Sequence, residues 1–158
     1  MVRIGVLFVC YGNICRSPMA EFVFKDMLDR EGLSDRFEVA SAATSGEHIG
    51  DSPDPRTARQ LAMHGISCAG KRGRRLVRSD FVDFDYIVGM DSMNLEYISH
   101  LAPHGCTCRL GRLLDYAGGG NIADPYYTGD FARTYAEVEK GCRGLLEKII
   151  EDHPELRG

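Results

Sequence analysis

Residues 3–24 read RIGVLFVCYGNICRSPMAEFVF, and the change of character at Cys10 decides the fold. Residues 3–9 form a near-continuous apolar run, the pattern of a parallel strand covered on both faces. The run ends at Cys10, turns through Gly12 and Asn13, and reaches Arg16, Ser17 and Pro18, where helical spacing starts. Beyond Pro18, Met19, Phe22, Val23, Met27 and Leu28 fall on one side of a helix that Gly32 stops.

The same alternation continues along the chain. Residues 37–42 read as a second strand, 84–90 as a third and 106–110 as a weaker fourth. Asp54 and Pro55 supply an N-cap and a first-turn proline for a helix closed by Gly65. Asp91 and Ser92 stand where they would cap a helix through residue 101, and a last helix is expected over 134–152. Strands alternating with helices predict an α/β fold, a single three-layer domain spanning residues 1–158 with a four-stranded parallel sheet and helices on both faces. Loops leaving Cys10, Ala42, Asp91 and Gly111 then gather at the carboxyl edge of the sheet, where such folds bind ligands. Residues 112–130, with three consecutive glycines and two adjacent tyrosines, resist the pattern. A loop of that length is uncommon and often functional.

Composition sets the limits. A chain of 158 residues with 44% hydrophobic content suffices for one ordinary core. Six cysteines without an export-type leader or a regular spacing predict reduced thiols and a cytoplasmic protein. A net charge of -4 gives no global attraction to nucleic acid, and no apolar run approaches the roughly 20 residues of a membrane helix. The basic run 71–75 with Arg78 reads as a solvated loop. His100, His104, Cys106 and Cys108 lack a zinc-type spacing, so no metal and no cofactor are expected.

Three cysteines are followed six positions later by arginine: Cys10 with Arg16, Cys68 with Arg74, and Cys106 with Arg112. Only the first leaves a buried strand and opens directly into a helix. Such a turn points unpaired N–H groups and the positive end of a helix dipole inward, which makes an anion cradle. Gly12 and Asn13 tolerate positive φ, and the planar fork of Arg16 matches two phosphate oxygens. The same field favours a thiolate at Cys10, a nucleophile aimed at bound phosphorus, with Ser17 placed to donate to the sulfur. A buried cysteine with a capping serine and a solvated arginine is the plainer alternative.

The stretch VCYGNICRSP resembles the signature of the low-molecular-weight protein tyrosine phosphatases. ASAATSG, IGDSPDPR, FDYIVGMDSMNL and ADPYYTGDF resemble that family's later blocks, in the same order, over residues 3–150. The resemblance implies a four-stranded parallel sheet and hydrolysis of phosphotyrosine in proteins through a cysteinyl-phosphate. It places the nucleophile at Cys10, the phosphate-binding arginine at Arg16 and the general acid at Asp124. Tyr11, Gly12, Asn13, Ile14, Cys15 and Ser17 complete the phosphate loop. It also implies that Cys15 can form a reversible disulfide with Cys10. Phosphotyrosine-containing proteins are the partners it implies.

A carboxylic acid above the phosphate can protonate the leaving oxygen, and its carboxylate can then activate water. Tyr126 and Tyr127 offer aromatic walls for a phenyl ring. Ile14 stands where the related arginine phosphatases tend to carry threonine, which favours tyrosine as the substrate residue. Two departures stand out. Glu47 occupies a position where many relatives have an aromatic side chain at the mouth, and the histidine that relatives carry after the GIS stretch is missing from GISCAGKRGRR. Arsenate reduction on a similar loop would need further resolving cysteines, and a non-catalytic phosphate binder would lack one of Cys10, Arg16 or Asp124.

Overall fold

A computed structural model describes residues 3–157. Four strands, β1 (Ile4–Cys10), β2 (Phe37–Ala43), β3 (Tyr86–Gly89) and β4 (Arg109–Arg112), form one sheet in the order β2-β1-β3-β4. All pairings are parallel: Val6 lies beside Val39 and Tyr86, and Ile87 beside Leu110. The helices are α1 (Arg16–Arg30), α2 (Pro55–Ala62), α3 (Asp80–Asp83), α4 (Ser92–Leu101), α5 (Pro125–Thr128) and α6 (Phe131–Asp152).

Alternation along β1 divides the core. Val6 and Phe8 join Met19, Val23 and Phe24 of α1, Leu61 of α2 and Val138, Cys142 and Leu145 of α6. Leu7 and Val9 join Ile87, Phe81 of α3 and Ile98 of α4 on the opposite face. Every residue of β1 is buried, which is why the sequence there is apolar without a polar alternate. Phe24, absent from the expected stripe, is wholly buried and meets Phe8 and Phe37 edge-to-face at 5.6 and 5.9 Å. Its burial contributes about 2 kcal/mol. Phe22 and Met27, expected on that stripe, only flank the core.

The order β2-β1-β3 means that the chain leaves β1 to one side and later returns to the other. The crevice beyond the carboxyl ends of β1 and β3 is therefore the switch point of the fold. Segments 10–17, 91 and 122–124 meet there.

Several expectations need correction. β3 begins at Tyr86 rather than Phe84, because residues 80–83 close a turn of helix and Phe84 packs as its C-cap. β4 lies at Arg109–Arg112 rather than 106–110, since only that segment pairs with Tyr86–Gly89. Cys106 and Cys108 sit ahead of the strand and are joined in a disulfide, so the expectation of six reduced thiols holds only for Cys10, Cys15, Cys68 and Cys142. The last helix starts earlier, at Phe131, where Asp130 accepts the Arg133 N–H at 3.0 Å.

The basic run is solvated only in part, with Arg72, Arg75 and Arg78 exposed but several of its side chains held by fixed partners. Lys71 Nζ donates to the Ser41 carbonyl at 3.0 Å, Arg74 grips both carboxylate oxygens of Asp80, and Arg75 Nε donates to the Thr44 carbonyl at 3.2 Å. The glycine-rich segment is also more ordered than its composition suggests. It opens with a 3-10 turn over Leu113–Ala117 laid against α6, where a Cβ at Gly144 would run into the Tyr116 carbonyl. No helix among the described residues is long and apolar enough to cross a membrane.

Candidate active site

The turn after β1 is held from outside by main-chain bonds. Thr44 N donates to the Cys10 carbonyl at 2.9 Å, Ser45 N to that of Tyr11 at 3.0 Å, and Asp54 N to that of Ile14 at 2.8 Å. Asn13 adopts φ +58, the left-handed region that asparagine enters more readily than most residues. That single inversion folds the turn back over Cys10. At the helix mouth, Cys15 is the N-cap and contributes no side-chain cap, so the first amides of α1 stay directed into the turn.

Two backbone N–H groups donate to the Cys10 sulfur, Asn13 N at 3.3 Å and Ser17 N at 3.4 Å, and the Ser17 hydroxyl lies 3.0 Å from it. Cys15 lies in the same turn, where burial, then the charges of Asp54 and Cys10, push its thiol up to about 12. It stays protonated at neutral pH.

Arg16 is buried, at 3% exposure, with Nη1 donating to Asp91 Oδ2 at 2.6 Å and to the Ile122 carbonyl at 2.8 Å. Burial alone would lower its pKa, but the charges of Cys10, Asp91 and Asp124 outweigh that and raise it. Nε is buried without a partner. Asp91 has two duties: Oδ1 caps α4 by accepting from Asn94 N at 2.8 Å, and Oδ2 fixes the guanidinium.

Asp124 caps α5, accepting the Tyr126 N–H at 3.1 Å through Oδ1. Its Oδ2 stands 3.5 Å from Arg16 Nη2. A cleft of about 150 Å³ is lined by Cys10, Tyr11, Gly12, Ile14, Cys15, Glu47, His48, Asp124, Tyr126 and Tyr127. Arg16, Asn13 and Ser17 lie beneath its floor. All the residues expected from sequence therefore meet at one place. The Tyr126 and Tyr127 rings face each other edge-on at 5.3 Å, and Tyr127 is 80% exposed. The Glu47 carboxylate beside Tyr11 pushes that phenol's pKa up.

Sequence reasoning missed two members. His48 lies against Gly12, where a Cβ would come within 3.1 Å of its ring, and its Nδ1 pairs with Asp51 at 3.0 Å. Asp91 was read only as a cap. A carboxylate at the end of the strand next to β1 was the available signal, since the parallel order puts it opposite the turn.

Comparison with known proteins agrees with this geometry. The family model for low molecular weight phosphotyrosine protein phosphatase matches residues 5–155. The low molecular weight protein-tyrosine-phosphatase YfkJ of Bacillus subtilis is 42% identical, covering 94% of this chain and 97% of that protein. The crystal structure of YfkJ superposes with a TM-score of 0.91 at 40% identity, over 96% of this chain and 98% of that one. A Drosophila structure described as DARP, an arginine phosphatase, gives 0.85 at 35% identity over 91% and 96%. A family-model match over residues 5–155, with relatives about 40% identical across nearly the whole chain and on the same fold, places this chain in the low molecular weight phosphotyrosine protein phosphatase family.

Proposed function

We propose that the protein hydrolyses phosphotyrosine in proteins by two phosphoryl transfers through Cys10. The convergence of two amide N–H groups and a hydroxyl on one sulfur, beside a buried arginine and below a carboxyl group, is the observation that supports it most. In the first step the Cys10 sulfur attacks phosphorus in line, a sulfur–phosphorus bond forms, and the bond to the tyrosyl oxygen breaks. Asp124 gives its proton to that oxygen. Turn amides and Arg16 hold the non-bridging oxygens as their charge rearranges. In the second step the Asp124 carboxylate takes a proton from water, whose oxygen attacks phosphorus and displaces the thiolate. Ser17 donates to the departing sulfur.

Tyrosine suits the cleft in two respects. A phenol, with a pKa near ~10, leaves more readily than an alkoxide. The ring of the substrate fits between Tyr126, Tyr127 and the apolar side of Ile14, while Glu47 at the rim favours basic over acidic flanking residues. Ile14 also offers no acceptor to a guanidinium, which weighs against phosphoarginine. On this reading Cys15, a neighbour of Cys10 in the turn, traps a Cys10 sulfenic acid as a disulfide with loss of water, and a reduced nucleophile of this kind suits the cytoplasm.

Turnover of p-nitrophenyl phosphate, a phosphotyrosine peptide and a phosphoarginine peptide by the wild type, Cys10→Ser and Asp124→Ala tests the reading. The expected order of substrates is phosphotyrosine far above phosphoarginine, with no turnover by Cys10→Ser. Preference for phosphoarginine, or arsenate reduction without phosphatase turnover, would overturn it.

A further inference from the structure

Of the cysteines outside the cleft, Cys68 and Cys142 are buried, whereas Cys106 and Cys108 are half-buried and joined to each other. That bridge is a poor staple. A disulfide stabilises chiefly by closing a loop of the unfolded chain, and the gain shrinks with the loop. Only Thr107 lies between these two cysteines, and both belong to the segment that joins α4 to β4, so the bond ties no two elements of the fold together. Nor do the sulfurs serve a metal: among the described residues no three His, Cys, Asp or Glu side chains gather to hold one. The chemistry left to such a pair is exchange with other sulfur.

Main-chain bonds hold the two cysteines near each other without the bridge. Ala102 N–H donates to the Ile98 carbonyl at 3.0 Å, and Cys106 N–H donates to the Pro103 carbonyl at 3.2 Å, closing a turn through Gly105 at φ +79. Arg109 N–H donates to the Asp85 carbonyl at 2.7 Å, and from Arg109 onward the chain is paired with β3. The turn and the sheet thus fix the ends of the segment, and the two Cα atoms stand 5.6 Å apart, within the span a disulfide needs. When the bond opens, the thiols stay neighbours, and closing it again is an intramolecular step. Pro103, His104, Gly105, Thr107 and Arg109 around them are exposed, which leaves a small nucleophile room to approach.

The pair is also remote from the cleft. Arg109 is level with Tyr86 and Val6 across the sheet; Cys10 lies beyond Val6 toward the carboxyl ends, while the pair precedes Arg109 on the amino side. The stretch from Val6 to Cys10 alone spans about 13 Å.

We propose that Cys106 and Cys108 form a reversible exchange site for monothiols of the glutathione class at the amino edge of the sheet, separate from the phosphate-binding cleft. A glutathione thiolate attacks one sulfur of the bridge. A bond to glutathione forms, the Cys106–Cys108 bond breaks, and its electron pair leaves on the other cysteine, which takes a proton from water. A second glutathione thiolate then attacks the glutathione sulfur of the mixed disulfide and frees the remaining cysteine. Two electrons pass from two thiols to the bridge, glutathione disulfide is released, and the reverse sequence closes the ring. Nothing in this exchange depends on the chemistry at Cys10.

The test follows the tryptic peptide 79–109, which contains no other cysteine, by mass after acid quenching and alkylation. In about 1 mM glutathione at pH ~7.5 the bridge of the folded protein should open within about tenfold of its rate in concentrated urea, because the fold does not shield it. Glutathione disulfide should close it again. The melting temperatures of the open and bridged protein should agree within about 2 °C. Cys106→Ser, which removes the resolving partner, should accumulate a glutathione adduct on Cys108 that the wild type shows only in passing. Cys10→Ser should change none of these results. Slower opening of the folded protein than this, or a larger fall in melting temperature when the bridge opens, would mark a structural cross-link and overturn the proposal. A pair that stays fully thiol under glutathione disulfide, or no adduct on Cys108 in Cys106→Ser, would overturn it as well.

Discussion

The turn at Cys10 and the rim at Asp124 to Tyr127 serve one cleft, yet they are built in opposite ways. The turn is buried apart from Tyr11 and part of Ile14, stitched by main-chain bonds to residues 44, 45 and 54, and supported below by Asn13, Ser17 and Ser41. The rim is a four-residue helix capped by its own aspartate, with Tyr126 half-exposed and Tyr127 almost fully so. Capture of a doubly charged group needs dipoles that cannot relax, which only a packed interior supplies. Choice of substrate needs side chains that reach solvent and can be exchanged without disturbing the fold. Chemistry is therefore expected to fail steeply for changes in the turn and gradually for changes along the rim.

The steepest case is Cys10→Ser, which should lower kcat by at least about 10⁴-fold while phosphate still binds, because the cradle's donors remain. Isothermal titration with phosphate beside the assay checks both halves. Arg16→Lys comes next. A point charge cannot hold Asp91 and the Ile122 carbonyl while also presenting a planar fork, so kcat/KM should fall on the order of 10²-fold to 10³-fold. Asp124→Ala should cost about 10²-fold in kcat on a phosphotyrosine peptide and clearly less on p-nitrophenyl phosphate, whose leaving group needs little protonation. Equal losses on both substrates would contradict its role as acid.

On the rim, Tyr127→Ala should raise KM for a phosphotyrosine peptide about fivefold with kcat nearly unchanged, measured by steady-state kinetics. A loss confined to kcat would place this tyrosine with the turn instead. The smallest effect concerns Asp54, which ties the turn to α2. Its hydrogen bonds to the Arg56 side chain hold its carboxyl below the ordinary range, despite partial burial. A folded-state value below the unfolded one adds stability that is complete above pH ~4 and disappears as pH falls through the folded value. The melting temperature of Asp54→Asn should thus lie below wild type near neutrality and converge with it in acid.

The fold was legible where the sequence repeated itself. The apolar run of β1 and the strand-helix alternation follow from burial on both faces, and Cys10 and Arg16 stand out by residue type and place, whereas Asp124 follows only from the family resemblance. The less legible parts depend on contacts between distant segments. Phe24 lost to Phe22 because a helix stripe is broad enough for both until the sheet chooses a side. β4 was misplaced by three residues because short exposed strands carry little pattern, and pairing with β3 alone sets their register. Asp91 passed for a simple cap because a sequence shows one duty where the sheet order reveals two. Lys71 was hidden in a run of like charges that composition reads as solvated, although each of Lys71, Arg74 and Arg75 has a fixed acceptor. The order of residues 113–117 depends on Gly141 and Gly144 of α6, whose missing side chains leave room for Leu113 and the Tyr116 carbonyl.

The central claim is that phosphorus passes through the Cys10 sulfur. Rapid mixing of Asp124→Ala with p-nitrophenyl phosphate carrying labelled phosphorus, followed by quenching and peptide mapping, tests it most directly. A burst of nitrophenolate near one equivalent, with label on the peptide containing Cys10 and none in Cys10→Ser, is the predicted result. Turnover without a burst, and without label on that peptide at any time, would contradict it.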